Sequence, residues 1–166
     1  DGNGNTSTQT QSVVIDDVTD PTIDAALPLI INAECEVTSL TEPIPTDNCS
    51  SSTITITNDA SLPISGEGTT TIVTWTYDDG NGNTSTQTQS VVIDDVTAPL
   101  LDGSLPASIT DECEVTTLPT PNTTDNCGGT VTITNDASLP ITTQGTTVVI
   151  WTYDDGNGNM SFQSQN

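Results

Sequence analysis

The chain has 166 residues with 23 acidic side chains and no Lys, Arg or His, for a formal net charge of -23. Without a basic group to neutralise phosphate, nucleic acid and anionic membrane surfaces are poor partners. The same absence removes Ser-His and Ser-Lys nucleophile pairs, Schiff-base chemistry and imidazole metal ligands, so an enzyme is not expected.

In chain order, the first informative stretch is Asp1-Gly2-Asn3-Gly4-Asn5, the tail of a motif that returns in full as Asp78-Asp79-Gly80-Asn81-Gly82-Asn83 and Asp154-Asp155-Gly156-Asn157-Gly158-Asn159. Asp-Gly and Asn-Gly between alternating runs are the strongest short-range hairpin signal. Residues 1–19 recur unchanged as residues 79–97, giving a period of about 78 residues. The expected domains are 1–15, the last strand of a preceding repeat ending at Val13-Val14-Ile15; 16–93, a complete repeat; and 94–166, a second repeat lacking the end of its last strand. Asp16 to Pro21 reads as a linker, because Pro lacks a ladder donor and pushes its predecessor towards an extended conformation.

Within each repeat nearly every segment reads as strand or turn. Thr53 to Thr57 and Thr130 to Thr134 alternate strictly, as half-buried strands do. Val73, Trp75 and Tyr77 share one parity, as do Val149, Trp151 and Tyr153, and each set leads into a hairpin, so the Trp rings are expected in the core. An exposed Trp75 or Trp151 stacking on a sugar is the alternative, a glycan-binding module. Thr84, Thr86 and Thr88 line one face of the following strand, where β-branched residues suit the pleat. Short strands separated by turns, without a helical period, predict an all-β chain of tandem immunoglobulin-like Greek-key β-sandwiches.

Cysteines occur as Cys35 with Cys49 and Cys113 with Cys127, each pair 14 positions apart. Four cysteines allow three connectivities; equal spacing in the two repeats favours one disulfide per repeat, Cys35–Cys49 and Cys113–Cys127, in an oxidising compartment. No signal peptide, lipid anchor or long apolar run is visible, so the chain reads as an internal window with no membrane insertion in this segment.

Asp79, Asn81 and Asn83 alternate at the one-three-five spacing of a calcium loop, although Thr84 and Ser90 stand where an EF-hand needs Gly and Glu. In a sandwich of this type three acidic elements meet at one end. For the first repeat they are Asp16-Asp17, Asp47-Asn48 and the hairpin residues Asp78, Asp79, Asn81 and Asn83. For the second they are Asp94-Asp95, Asp125-Asn126 and the hairpin residues Asp154, Asp155, Asn157 and Asn159. Carboxylates converging without any basic residue repel, whereas Ca²⁺ takes about 6 to 8 oxygens from such a mixed set. The competing reading is that these residues only build solvated turns.

Several motifs together resemble the hyalin-repeat (HYR) type of immunoglobulin-like domain, found in tandem in large cell-surface adhesins of Bacteroidetes. They are Thr46-Asp47-Asn48-Cys49 and Thr124-Asp125-Asn126-Cys127, Gly68-Thr69-Thr70 and Gly145-Thr146-Thr147, and Asp79-x-x-Gly82-Asn83 and Asp155-x-x-Gly158-Asn159. The linkers Asp17-Val18-Thr19-Asp20-Pro21 and Asp95-Val96-Thr97-Ala98-Pro99 complete the set. The resemblance implies an extracellular cell-surface β-sandwich used as an adhesin stalk or filament module. Its expected partners are further copies of the repeat in a longer chain, other chains in a fibre, and a surface or glycan target.

Overall fold

The structure, a computed structural model, describes residues 2–49 and 53–166. Asp1, the first residue of the opening hairpin motif, lies outside the described residues. Among the described residues the chain is all-β, with no helix and therefore none long and apolar enough to cross a membrane. The strands are β1 (Ile30–Ala33), β2 (Glu36–Val37), β3 (Thr55–Asn58), β4 (Ile64–Ser65), β5 (Thr69–Asp78) and β6 (Thr84–Ile93), followed by β7 (Thr132–Asn135), β8 (Val149–Asp154) and β9 (Met160–Gln165). They form one sheet ordered β1-β6-β5-β3, a β2-β4 pair, and a β7-β8-β9 sheet.

Two compact units divide the chain: Asp1–Leu27 with Thr41–Asp59 and Thr74–Thr88, and Pro28–Leu40 with Ala60–Val73 and Gln89–Asn166. In the first unit β3 runs antiparallel to the end of β5, with Ile56 opposite Tyr77, and Thr22 bridges Thr46. Tyr77 is fully buried; its hydroxyl donates to Gln87 Oε1 at 2.8 Å, and Gln87 Nε2 donates to the Asp24 carbonyl at 2.9 Å. A phenol on a buried strand face needs such a partner for its polar tip.

In the second unit β1 lies parallel to the end of β6, from Ile30 opposite Ser90 to Ala33 opposite Ile93. There β2 pairs with β4, and the same pairing returns in the later repeat as the Val115–Ile141 bridge. Val149, Trp151 and Tyr153 form a core against Leu105, Leu118, Val131, Ile133, Ala137 and Ile141. Period-two alternation places those three on one face of β8, as expected of a strand with one buried side. Trp75 and Trp151 are only 3% and 4% exposed. Neither ring offers a face to a sugar, which corrects the alternative of a glycan module built on an exposed Trp.

The hairpins form where the motif predicts them. β8 and β9 pair antiparallel from Val149 opposite Gln165 to Asp154 opposite Met160. Residues 155–159 close the loop with the Asp155 N–H donating to the Asn159 carbonyl at 3.4 Å. Gly156 and Gly158 take φ of 85° and 108°, and no other residue type in the described chain has positive φ. A Cβ at either position would strain the turn.

Residues 2–15 form no strand, and Val13, Val14 and Ile15 are 78%, 83% and 94% exposed. The identical Ser90-Val91-Val92-Ile93 is strand because β1 supplies a hydrogen-bonding edge beside it. Ladder hydrogen bonds come from a partner strand, so the same four residues without one form no strand and stay exposed.

Candidate metal centre

The later repeat brings the three acidic elements together. Asp95, Asp125 and Asp155 each offer a carboxylate oxygen, and the three oxygens lie within 4.8 Å of one another. Asp95 is 3% exposed, on the linker after β6. Its Oδ2 accepts from Asn157 Nδ2 at 3.3 Å, its Oδ1 from the Thr97 N–H at 3.1 Å, and its carbonyl from Asn159 Nδ2 at 2.9 Å. Asp155 Oδ1 accepts the N–H groups of Asn157 and Asn159 at 2.7 and 3.1 Å, and Oδ2 accepts Asn159 Nδ2 at 2.8 Å. Asp125 Oδ1 caps its own turn through the Cys127 N–H at 2.9 Å, whereas its Oδ2 is buried with no hydrogen-bond partner. A buried carboxylate oxygen left unpaired is costly, the more so beside two other carboxylates. Oxygens sharing one Ca²⁺ at 2.3–2.6 Å lie at most about 5 Å apart, so this trio fits that ion.

The earlier repeat builds the same frame less completely. Asn81 Nδ2 reaches Asp17 Oδ2 at 3.4 Å, Asn83 Nδ2 reaches the Asp17 carbonyl at 3.1 Å, and Asp47 Oδ2 is again buried without a partner. Here the converging trio is Asp17, Asp47 and Cys49. Asp79, 3% exposed, spends its oxygens on Asn81 and Asn83 within its own loop. The Cys49 thiol bonds Asp17, and this bond, then burial, then the charges of Asp17, Asp47 and Asp79 raise its pKa. A protonated thiol is no ligand for a hard cation, so the earlier site is the poorer one.

The remaining expected ligands lie apart from these clusters. Asp78 and Asp154 accept the N–H of Gly80 and Gly156, both at 2.8 Å, and so shape the turns. Asp16, Asp94 and Asn48 are exposed, with the Asp94 N–H bonded to the Ala33 carbonyl at 3.0 Å. Asn126 is exposed and donates through Nδ2 to Glu34.

Disulfide connectivity differs from the expected Cys35–Cys49 and Cys113–Cys127. Cys35 is bonded to Cys127, 92 positions away, with Cα atoms 4.9 Å apart. The reason is visible in the neighbouring hydrogen bonds. Glu34 Oε2 receives both Asn126 Nδ2 and, at 2.8 Å, Thr97 Oγ1, which fastens the Asp125-Asn126-Cys127 loop to the stretch carrying Cys35. Cys113 is an exposed thiol. Glu34 and Glu67, whose Oε2 accepts the Asp95 N–H at 2.8 Å, are junction residues that the sequence reading passed over. Recurrence of Glu34 as Glu112, beside Cys113, was the available signal.

The hairpin carboxylates have a pH consequence. Burial pushes Asp79 and Asp155 up, but the side-chain amides of Asn83 and Asn159 and the surrounding N–H groups outweigh it and leave both below the ordinary carboxylate range. Backbone N–H groups likewise lower Asp24 (through Ile44), Asp59 (through Thr74) and Asp102 (through Asn122). A group with a depressed folded pKa contributes stability above its unfolded value and loses it as pH falls through the folded value. Acidification also relieves the self-repulsion of the -23 charge. The expected melting temperature is therefore level or rising from pH 7 to about 4.5, then falling steeply below about pH 4. Calorimetry across that range checks it; a steady rise to pH 3 would show that the hairpin carboxylates add no stability.

Neither a scan of protein-family models nor a search of curated proteins found a match to this chain, so the site's own chemistry carries the functional reading.

Proposed function

We propose that the chain is a structural or adhesive segment of an extracellular cell-surface fibre or adhesin stalk, made of tandem immunoglobulin-like Greek-key β-sandwiches of the hyalin-repeat kind. In this reading Ca²⁺ sits among Asp95, Asp125 and Asp155, and less tightly at Asp17 and Asp47, where it neutralises carboxylates that no basic residue can. The observation that carries it is the buried, partnerless Oδ2 of Asp125 facing two further carboxylates in a chain without a single Lys, Arg or His. Asn157 and Asn159 turn their Nδ2 groups toward Asp95 and Asp155, so they would add amide oxygens to the ligand set only after rotating those amides. The two-sheet arrangement of the first repeat and the buried Trp on an alternating strand support the sandwich reading. The role is mechanical: a disulfide and an ion at the linker resist extension, and no catalytic step is assigned.

Extracellular calcium modules bind with Kd of about 10⁻⁴ to 10⁻³ M. At 10 mM CaCl₂ a site of this class adds about 1.4–2.7 kcal/mol of stability through mass action. The measurement is the melting temperature in 10 mM CaCl₂ against EDTA with NaCl at matched ionic strength. Asp125→Asn is expected to abolish the calcium increment while raising stability in EDTA, because it removes one of three mutually repelling charges. Equal stabilisation by NaCl and CaCl₂, or an unchanged increment in Asp125→Asn, would overturn the calcium assignment.

A further inference from the structure

The Cys35–Cys127 bond lies among carboxylates. Glu34, Asp95 and Cys127 each offer one ligand atom, and these three atoms lie within 4.8 Å of one another. Cys35 brings a second sulfur to the same place, since it is bonded to Cys127 with Cα atoms 4.9 Å apart. All four residues belong to the second compact unit. They come from the stretch after β1, the linker after β6 and the loop before β7, so no Cys-x-x-Cys spacing announces them.

One residue holds both carboxylates. Thr97 donates its hydroxyl to Glu34 Oε2 at 2.8 Å and its N–H to Asp95 Oδ1 at 3.1 Å. Around them, the Asp95 N–H donates to Glu67 Oε2 at 2.8 Å, and Asn126 Nδ2 bonds Glu34 and lies 3.9 Å from Cys35 Sγ. Asp95 is buried, while Glu34, Cys35 and Cys127 are half-buried. Hydrogen bonds that orient ligating carboxylates from outside support a metal site. They leave lone pairs to spare, because an ionised carboxylate accepts at about four positions.

We propose that, once the disulfide is reduced, Cys35, Cys127, Glu34 and Asp95 form a tetrahedral site of two sulfurs and two oxygens for a zinc-class divalent ion. Thiolates select that class, whereas calcium takes oxygens alone. Zinc holds sulfur at about 2.3 Å and carboxylate oxygen at about 2.0–2.2 Å, which puts neighbouring ligand atoms about 3.3–3.8 Å apart and leaves the observed set about 1 Å to close. The chain has no basic side chain to offset two thiolates and two carboxylates, and a divalent cation does so directly. Ion and disulfide exclude each other. Either one fastens the linker to the Cys35 stretch and to the Asp125-Asn126-Cys127 loop, the ion in the reduced chain and the bond in the oxidised one. The exchange needs a disulfide oxidant such as oxidised glutathione. One protein thiolate displaces a glutathione thiolate to give a mixed disulfide, and the other protein thiolate then displaces the second. Two electrons pass from the protein sulfurs to glutathione, the two glutathione thiolates take up protons from water, and the divalent ion is released.

The test uses the full chain carrying Cys49→Ser and Cys113→Ser, so that no other thiol reports, reduced and then freed of reductant under argon. Cobalt(II) stands in for zinc, because its thiolate charge-transfer bands and tetrahedral d–d bands can be seen. Those bands should saturate at one cobalt per chain and disappear on adding zinc or oxidised glutathione. The oxidised chain should show none, and Cys127→Ser should lose the two-thiolate signature. Glu34→Gln and Asp95→Asn should each weaken cobalt binding about tenfold or more. If reduction unfolds the chain, cobalt should restore the near-ultraviolet circular dichroism of its Trp and Tyr side chains, since metal binding is then folding free energy. No calcium is present, so the result stands or falls separately from the calcium reading. Absence of thiolate bands, equal affinity in Cys127→Ser, undiminished binding in both carboxylate variants, or bands without recovery of the fold would each overturn the proposal.

Discussion

Reducing the Cys35–Cys127 bond is expected to lower the stability of the chain by about 4–5 kcal/mol. The bond closes a loop of 92 positions, and the chain-entropy model gives about 4.7 kcal/mol for a loop of 100 residues. That is of the order of half the total stability of many single domains. Cys35→Ser and Cys127→Ser should each reproduce the loss, and the double variant should add little, since either single change already removes the same cross-link. Trypsin cannot map the bond because the chain has no Lys or Arg. Digestion at Asp and Glu separates Cys35, Cys49, Cys113 and Cys127 onto different fragments. A melting temperature indifferent to reductant, or a fragment joining Cys35 to Cys49, would contradict the connectivity.

The sequence could not choose between the two pairings, for a physical reason. In a periodic chain a pair of cysteines 14 positions apart in every repeat looks the same whether each pair closes within its repeat or each cysteine reaches the neighbouring one. The choice depends on where the linker folds back, and that is fixed by Glu34 gathering Thr97 and Asn126, three residues remote in sequence. Convergence of Asp95, Asp125 and Asp155 was legible, because it needs only that linker, loop and hairpin meet at one end. Which member of each doubled Asp turns inward was not. Asp154 and Asp155 differ by one step on a turn, and only the second faces the linker while the first bonds Gly156. Trp75, Trp151 and their alternating neighbours were legible from parity alone, as a strand with one buried face allows.

The second large expected effect belongs to residues whose role was missed. Gln165→Leu should destabilise the chain by about 2–4 kcal/mol: about 1–3 for stranding a buried donor and about 1 for the second lost bond. Gln165 is 1% exposed; its Oε1 accepts the Trp151 indole N–H at 3.1 Å and its Nε2 donates to the Pro106 carbonyl at 2.8 Å. One amide thus satisfies the ring in the core and ties the strand to the segment before it. Leucine matches the volume but returns neither bond, and water cannot reach the indole N–H of a Trp that is 4% exposed. Gln163 is the internal control. It accepts the Tyr153 hydroxyl at 2.5 Å and donates to the Asp102 carbonyl at 2.9 Å, but it is only half-buried, so Gln163→Leu should cost about 1 kcal/mol. The earlier repeat places Gln87 and Gln89 in the same way, with Gln89 Nε2 on the Pro28 carbonyl at 2.7 Å. Their parity is that of Val91 and Ile93, so the buried face of the strand is written as Gln-x-Gln-x-Val-x-Ile. The measurement is chemical denaturation of Gln165→Leu, Gln163→Leu and the Trp151→Phe/Gln165→Leu double variant. Trp151→Phe removes the orphaned donor, so the double variant should lose less than the sum of its two single changes. Strict additivity would mean that the amide and the indole do not act as a pair, and that Gln165 serves the fold only through Pro106.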